Sequence, residues 1–92
     1  MSDPPAQHFT ILYFASAATY TQKASERFPA PMTLADLFRR LEKSYPGIGE
    51  KVLTSCLCTI NLEYVDGNED ALRSIVIKED DEVAIIPPVS SG

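Results

Sequence analysis

Four groups of residues in this 92-residue chain have types and spacing suited to chemistry. Cys56 and Cys58 are the two cysteines, and one residue between them places both side chains on the same face of any strand. A structural zinc site wants four ligands, and His8 is the single histidine, so no metal site is expected. No Lys or Arg stands in Ser55-Cys56-Leu57-Cys58 to lower a thiol pKa, so both cysteines read as buried and unreactive. The acidic stretch from Asp66 to Asp70 contains Gly67 but lacks the alternating oxygen ligands and closing Glu of a calcium loop, and reads as a solvated loop. Gly47-Ile48-Gly49 is too short to cradle a phosphate. The fourth group is the ending, Pro87-Pro88-Val89-Ser90-Ser91-Gly92. Two prolines hold an extended course, small residues follow, and a glycine presents a carboxylate. Six extended residues reach about 20 Å, enough to carry that carboxylate into the active site of another protein.

Composition narrows what such a tail serves. An apolar fraction of 45% and a charged fraction of 23% suit one globular domain with a modest core. Eight basic against thirteen acidic residues give a net charge of −5. This argues against a nucleic-acid partner, which would need clustered Lys and Arg, and favours a partner with a basic face. No apolar run approaches the ~20 residues that span a bilayer, so no membrane association is expected. No signal-peptide pattern opens the chain, which leaves the cytosol as the expected location.

The elements that must position the tail follow from periodicity. Residues 1–7 read as a disordered lead-in. Phe9 to Phe14 is a strand, with Phe9, Ile11 and Tyr13 on one face and Thr10, Leu12 and Phe14 on the other. Ala15 to Gln22 reads as a loop, and Lys23 to Phe28 as an antiparallel return strand. Pro29 and Pro31 then exclude regular structure. Thr33 is the N-cap of a helix that carries Leu34, Leu37, Phe38, Leu41 and Tyr45 on one face, and Pro46-Gly47 stops it. Ile48 to Thr54 suggests a helical turn. Leu57 to Ile60 is a strand, Asn61 tolerates the positive φ of a turn, and Tyr64-Val65 is a short strand. Leu72 to Ile77 has strand character, and Glu82 to Ile86 is the last strand.

No strand–helix repeat is present, so a doubly wound sheet is excluded. A mixed sheet packed on one main helix fits, and the expected class is α+β. Such a sheet has one uncovered face, bearing Thr10, Leu12, Phe14, Ala84 and Ile86, and a cluster of that kind marks a protein interface. The domain reading is therefore a lead-in (1–7), a sheet-and-helix body (8–86) and an extended tail (87–92).

Asp80-Asp81-Glu82-Val83-Ala84-Ile85-Ile86-Pro87-Pro88-Val89-Ser90 followed by a final glycine resembles the small, sulfur-carrying subunits of molybdopterin synthases. Ile11 to Ala15, the helix from Thr33 to Tyr45, and Ile60 to Val65 fall in the order of that family, so the resemblance spans about Phe9 to Gly92. It implies a ubiquitin-like β-grasp fold. It also implies that Gly92 is adenylated with ATP by an activating enzyme, converted to a thiocarboxylate, and used to deliver sulfur to cyclic pyranopterin monophosphate. No tightly bound cofactor is implied, only the transient adenylate and thiocarboxylate.

By the same resemblance the large synthase subunit supplies the catalytic pocket, the chain alone is no enzyme, and two small and two large subunits assemble. Phe14, Tyr64 and Ile86 match positions that pack against the large subunit, and Pro87, Pro88, Val89, Ser90 and Ser91 match the inserted tail. Such carriers usually end in two glycines. Here Ser91 is penultimate, and its Cβ and hydroxyl occupy space that glycine leaves free. Two other readings stay open. One is a carrier for thiazole synthesis or tRNA thiolation, and the other is a β-grasp interaction module whose terminus does no chemistry.

Overall fold

The computed structural model describes residues 7–65 and 69–88. In chain order its elements are β1 (His8–Tyr13), α1 (Ser16–Thr21), β2 (Ser25–Pro29), β3 (Met32–Thr33) and α2 (Leu34–Ser44). A π-helical turn (Gly49–Leu53), β4 (Leu57–Ile60), β5 (Glu63–Tyr64), α3 (Glu69–Ser74), β6 (Val76–Ile77) and β7 (Glu82–Ile86) follow. Five strands form one mixed sheet in the order β2-β1-β7-β4-β5, and β3 pairs with β6 in a separate two-stranded ribbon. β1 and β7 run parallel, and the other pairs in the large sheet are antiparallel. This is the expected α+β arrangement, with a β-grasp topology.

Alternation along the strands sets the two faces. Phe9, Ile11, Val83 and Ile85 are fully buried, and Tyr13 and Cys58 nearly so. They meet Leu34, Leu37 and Leu41 of α2 in one core with Ala17, Phe28, Ile48, Val52 and Ile77. The helix begins as its sequence dictates: the Thr33 hydroxyl accepts from the Asp36 amide at 3.1 Å, satisfying one of the orphan donors of the first turn. Asp36 itself turns to Arg39, 2.7 Å away on the exposed side. Beyond the helix, the Glu42 carboxylate accepts from the amides of Gly47 and Gly49, at 2.6 and 2.9 Å.

The structure differs from the sequence reading at four places. Ala15 to Gln22 is not a loop, because Ser16–Thr21 is helical. Its buried face consists of Ala17 and Thr21, four residues apart, and residues so small and polar leave no apolar period to read. Leu72 to Ile77 is not one strand. Leu72 lies in α3, which ends at Ser74, and the strand is confined to Val76 and Ile77; Leu72 and Ile75 both pack on the core, so one apolar run spans the helix end and the start of β6. The prolines also do not abolish regular structure. Pro29 ends β2, an edge strand where a missing amide costs no ladder bond, and Met32–Thr33 pairs with β6. Finally, Cys56 lies before β4, so the two cysteines do not share a strand face.

Candidate functional site

The tail grows out of the middle of the sheet. β7 is hydrogen-bonded to β1 on one side and to β4 on the other, in the registers Leu12↔Ala84 and Thr59↔Ala84. The Phe14 amide donates to the Ile85 carbonyl at 3.2 Å, extending the parallel pairing past the end of β1. Ile86 is partly buried, Pro87 is buried and Pro88 is exposed. Proline suits this exit because it supplies no amide to pair and holds the chain extended. Val89, Ser90, Ser91 and Gly92 lie outside the described residues, as do residues 1–6.

Among the described residues, the three helices and the core occupy one face of the sheet, and the other face is open. Phe14 is 46% exposed and Tyr64 75% exposed, and both stand on this open face with Ile86. The register explains their meeting, since Tyr64 lies opposite Thr59, Thr59 opposite Ala84, and Ala84 opposite Leu12. Thr59 and Ala84 are buried although no layer covers them. Phe14, Leu62, Tyr64 and Ile86 surround them and enclose a groove of about 310 Å³. The structure thus brings together the three residues proposed from resemblance, at the root of the tail.

Two further apolar residues escaped the sequence reading. Leu57 is 55% exposed beside Ile86, and Leu62 is 85% exposed in the β4–β5 connection. Pairing of Ile60 with Glu63 makes that connection a two-residue hairpin turn, and Asn61 and Leu62 have φ of 51° and 71°. Positive φ at both central residues is the type I′ pattern, which matches strand twist and ordinarily selects Asn-Gly. Asn61 is the available signal for the turn. Nothing in a one-dimensional pattern marks the leucine that follows.

A family model for the ThiS family matches residues 11–92, from the second half of β1 through the tail. The chain belongs to the ThiS family. A molybdopterin synthase sulfur carrier subunit from Pyrenophora tritici-repentis is 63% identical over 89 residues, covering 96% of this chain and 94% of the relative. In fold, this ThiS-family chain is similar to small archaeal modifier protein 1 of Haloferax volcanii, with a TM-score of 0.73 and 21% identity over 92% of this chain and 99% of the other. It is similar too to a chain in a protein–protein complex of subunits 1 and 2 of molybdopterin-converting factor from Helicobacter pylori, with a TM-score of 0.63 and 20% identity over 92% and 99%.

Elsewhere on this ThiS-family chain, the two cysteines and Glu26 are held by burial and hydrogen bonds. Burial pushes the Cys58 thiol up to about 12 and raises Cys56 as well, so neither is poised as a thiolate. Cys56 donates to the Leu53 carbonyl at 3.4 Å. Among the described residues, no group of three or more His, Cys, Asp or Glu is placed to hold a metal ion. No helix among them is long and apolar enough to cross a membrane. On the core side, Tyr13 and Tyr45 both donate to Glu26 Oε1, at 2.9 and 2.8 Å, and Lys23 reaches Oε2 at 3.3 Å. Partial burial alone would raise the Glu26 carboxyl, but the donors from Tyr45, Tyr13 and Lys23 together hold it below the usual carboxylate range.

Proposed function

We propose that this chain is the sulfur carrier subunit of a molybdopterin synthase, acting through a thiocarboxylate on Gly92. The observation that carries the reading is the 63% identity, over nearly the full length of both chains, with a protein of that name. The placement of an apolar face at the root of a glycine-ended tail supports it.

The chemistry follows from the poor electrophilicity of a carboxylate. A carboxylate oxygen of Gly92 attacks the α-phosphorus of ATP on an activating enzyme, expelling pyrophosphate and forming an acyl-adenylate. The terminal sulfur of a persulfide then attacks the carbonyl carbon and AMP departs, leaving an acyl disulfide. A thiol cleaves its S–S bond, taking one sulfur into a new disulfide and releasing the thiocarboxylate. That sulfur is the nucleophile toward cyclic pyranopterin monophosphate, and hydrolysis of the resulting thioester restores the Gly92 carboxylate. Two such deliveries supply the two sulfurs of the dithiolene.

In this scheme the chain holds no resident cofactor and no acid–base residues. The large subunit provides both the pocket and the proton transfers, and the carrier contributes a nucleophile delivered on a tether. Assembly of a similarly folded chain with a second subunit of molybdopterin-converting factor supports a large-subunit partner of this kind. Phe14, Tyr64 and Ile86 form the contact, and the tail threads into the pocket from Pro88 through Ser91, one residue later than the sequence suggests, because Pro87 is buried on the body. The cytosol is the proposed location.

Intact-mass measurement tests the reading. Incubation with ATP, the activating enzyme and a sulfur donor is expected to add about 16 Da, the difference between sulfur and oxygen in the terminal acyl group. Deletion of Gly92 should abolish the gain while leaving the fold intact. Full sulfur-transfer activity after that deletion would refute the proposal.

A further inference from the structure

Leu62 occupies the second position of a type I′ turn with φ of 71°, and its side chain is 85% exposed. Both facts run against its residue type. Glycine is the residue that this position favours, a γ-branched side chain there is strained, and an exposed leucine recovers none of that strain by burial. No core contact of the domain accounts for a leucine here.

The turn that carries it is braced. Asn61 Nδ2 donates to Asp81 Oδ1 at 2.9 Å, and Asn61 Oδ1 accepts from the Glu82 amide at 2.9 Å. The Asn61 amide donates to the Glu82 carbonyl at 2.8 Å, and Asp81 Oδ2 accepts from the Lys78 amide at 2.8 Å. The three bonds of Asn61 tie the β4–β5 turn to the start of β7, the fourth holds the Asp81 carboxylate in place, and together they fix the direction in which Leu62 projects. It projects into the same groove as Phe14, Tyr64 and Ile86.

We propose that Leu62 is a contact residue for the large subunit and that Asn61 is the positioning residue that holds it out. The inference rests on the carrier reading above and extends its interface to the opposite end of the sheet face. Pro88 and Gly92 are four residue steps apart, about 13 Å when fully extended, so a partner that receives Gly92 must seat against the domain itself. A stable contact needs about 800 Å² from each partner, more than Phe14 and Ile86 at the tail root can offer. The continuous apolar groove leads the footprint down past Tyr64 to Leu62. An apolar anchor kept in a strained backbone suits the long-lived synthase partner, since stable interfaces are the more apolar ones. The activating enzyme is the transient partner.

The test compares the affinity of the full chain for purified large subunit with its thermal midpoint, in wild type, Leu62→Ala, Leu62→Gly and Asn61→Ala. Both Leu62 variants should bind at least about fivefold more weakly. Leu62→Gly should melt at or above the wild-type temperature, because it removes the strained φ. Affinity and stability then move in opposite directions, which a merely structural leucine would not produce. Asn61→Ala combined with Leu62→Gly should lose no more affinity than the larger single loss, since one residue acts through the other.

Wild-type affinity in both Leu62 variants, or a loss of affinity that tracks a fall in melting temperature, overturns the contact role. Additive losses overturn the positioning role. Unchanged binding to the large subunit with impaired adenylation overturns the choice of partner. Failure of the wild-type chain to bind the large subunit overturns the carrier reading itself, and this inference with it.

Discussion

Tyr20 donates its phenolic hydrogen to the carbonyl oxygen of Pro46 at 2.6 Å, tying α1 to the turn that ends α2. Gly47 lies directly beneath. Its φ is +92°, and a Cβ built there would stand 2.7 Å from Tyr20 Oη. Tyr20→Phe is therefore expected to cost about 1 kcal/mol, seen as a fall of about 4–8 °C in thermal midpoint. Gly47→Ala should cost more, because the left-handed backbone and the crowded hydroxyl are penalised together. Thermal unfolding of the two variants and the double variant checks this, and the double variant should recover part of the loss.

Acid should weaken the fold through Glu26 and Glu42. Both carboxyls are held below their ordinary value of 4.5: Glu42 by the backbone amides of Gly47 and Gly49, and Glu26 by its three side-chain donors against the opposing effect of burial. The unfolded chain thus binds more protons than the native one across the carboxylate range. Their contribution is complete above the unfolded value and is lost as pH falls through the lower, folded value. Urea midpoints measured between pH 7 and pH 3 should decline on the acid side, and Glu26→Gln should lower the neutral plateau while flattening that decline.

At the alkaline end the sign reverses. Cys58 and Tyr13 have pKa values raised chiefly by burial, so their contribution is full below the unfolded values and fades as pH rises toward the folded ones. Alkylation at pH 8 should leave Cys58 almost untouched in the native chain, and urea should expose it. Equal labelling rates with and without urea would contradict the buried placement.

On the proposed interface, Ile86→Lys should weaken assembly with the large subunit by at least about tenfold, or roughly 1.4 kcal/mol, because it would bury an unpaired charge there. Ile86 is only partly buried in the free chain, so the melting temperature should change much less than the affinity. Calorimetric titration against the large subunit separates the two effects.

Under the proposed carrier chemistry, Ser91→Gly should accelerate thiocarboxylate formation, since removal of the Cβ would widen the clearance of the penultimate residue in a receiving channel. Single-turnover mass measurements on the two chains decide it. Equal rates would mean that the channel accommodates the hydroxyl.

What the linear pattern conveys depends on how large the buried residues are. β1, α2 and β7 were legible because Phe9, Ile11, Leu34, Leu37, Leu41, Val83 and Ile85 recur at the strand or helix period and all are fully buried. The open face followed from the same alternation, which placed Leu12, Phe14 and Ile86 away from the helices. α1 was not legible because Ala17 and Thr21 carry too little apolar surface to mark a face. The Glu26 cluster was hidden for another reason: Tyr13 and Tyr45 read as core aromatics, and the carboxylate that meets their hydroxyls comes from a different strand. Leu62 depends on a backbone angle that composition does not carry.

β7 is held by a ladder on each side, and Ile86 is its last paired residue. A strand at the sheet edge can fray and pay out slack; an interior strand cannot do so without opening the sheet. The root of the tail is therefore fixed at Ile86, and the reach of a fully extended tail would follow from residue count. Insertion of a single residue after Pro88 would displace the terminal group by about 3.3 Å, with no compensating retreat at the root. In the proposed carrier role the length of the leash would act as a specificity device, since a pocket one residue too deep or too shallow would meet the wrong atom.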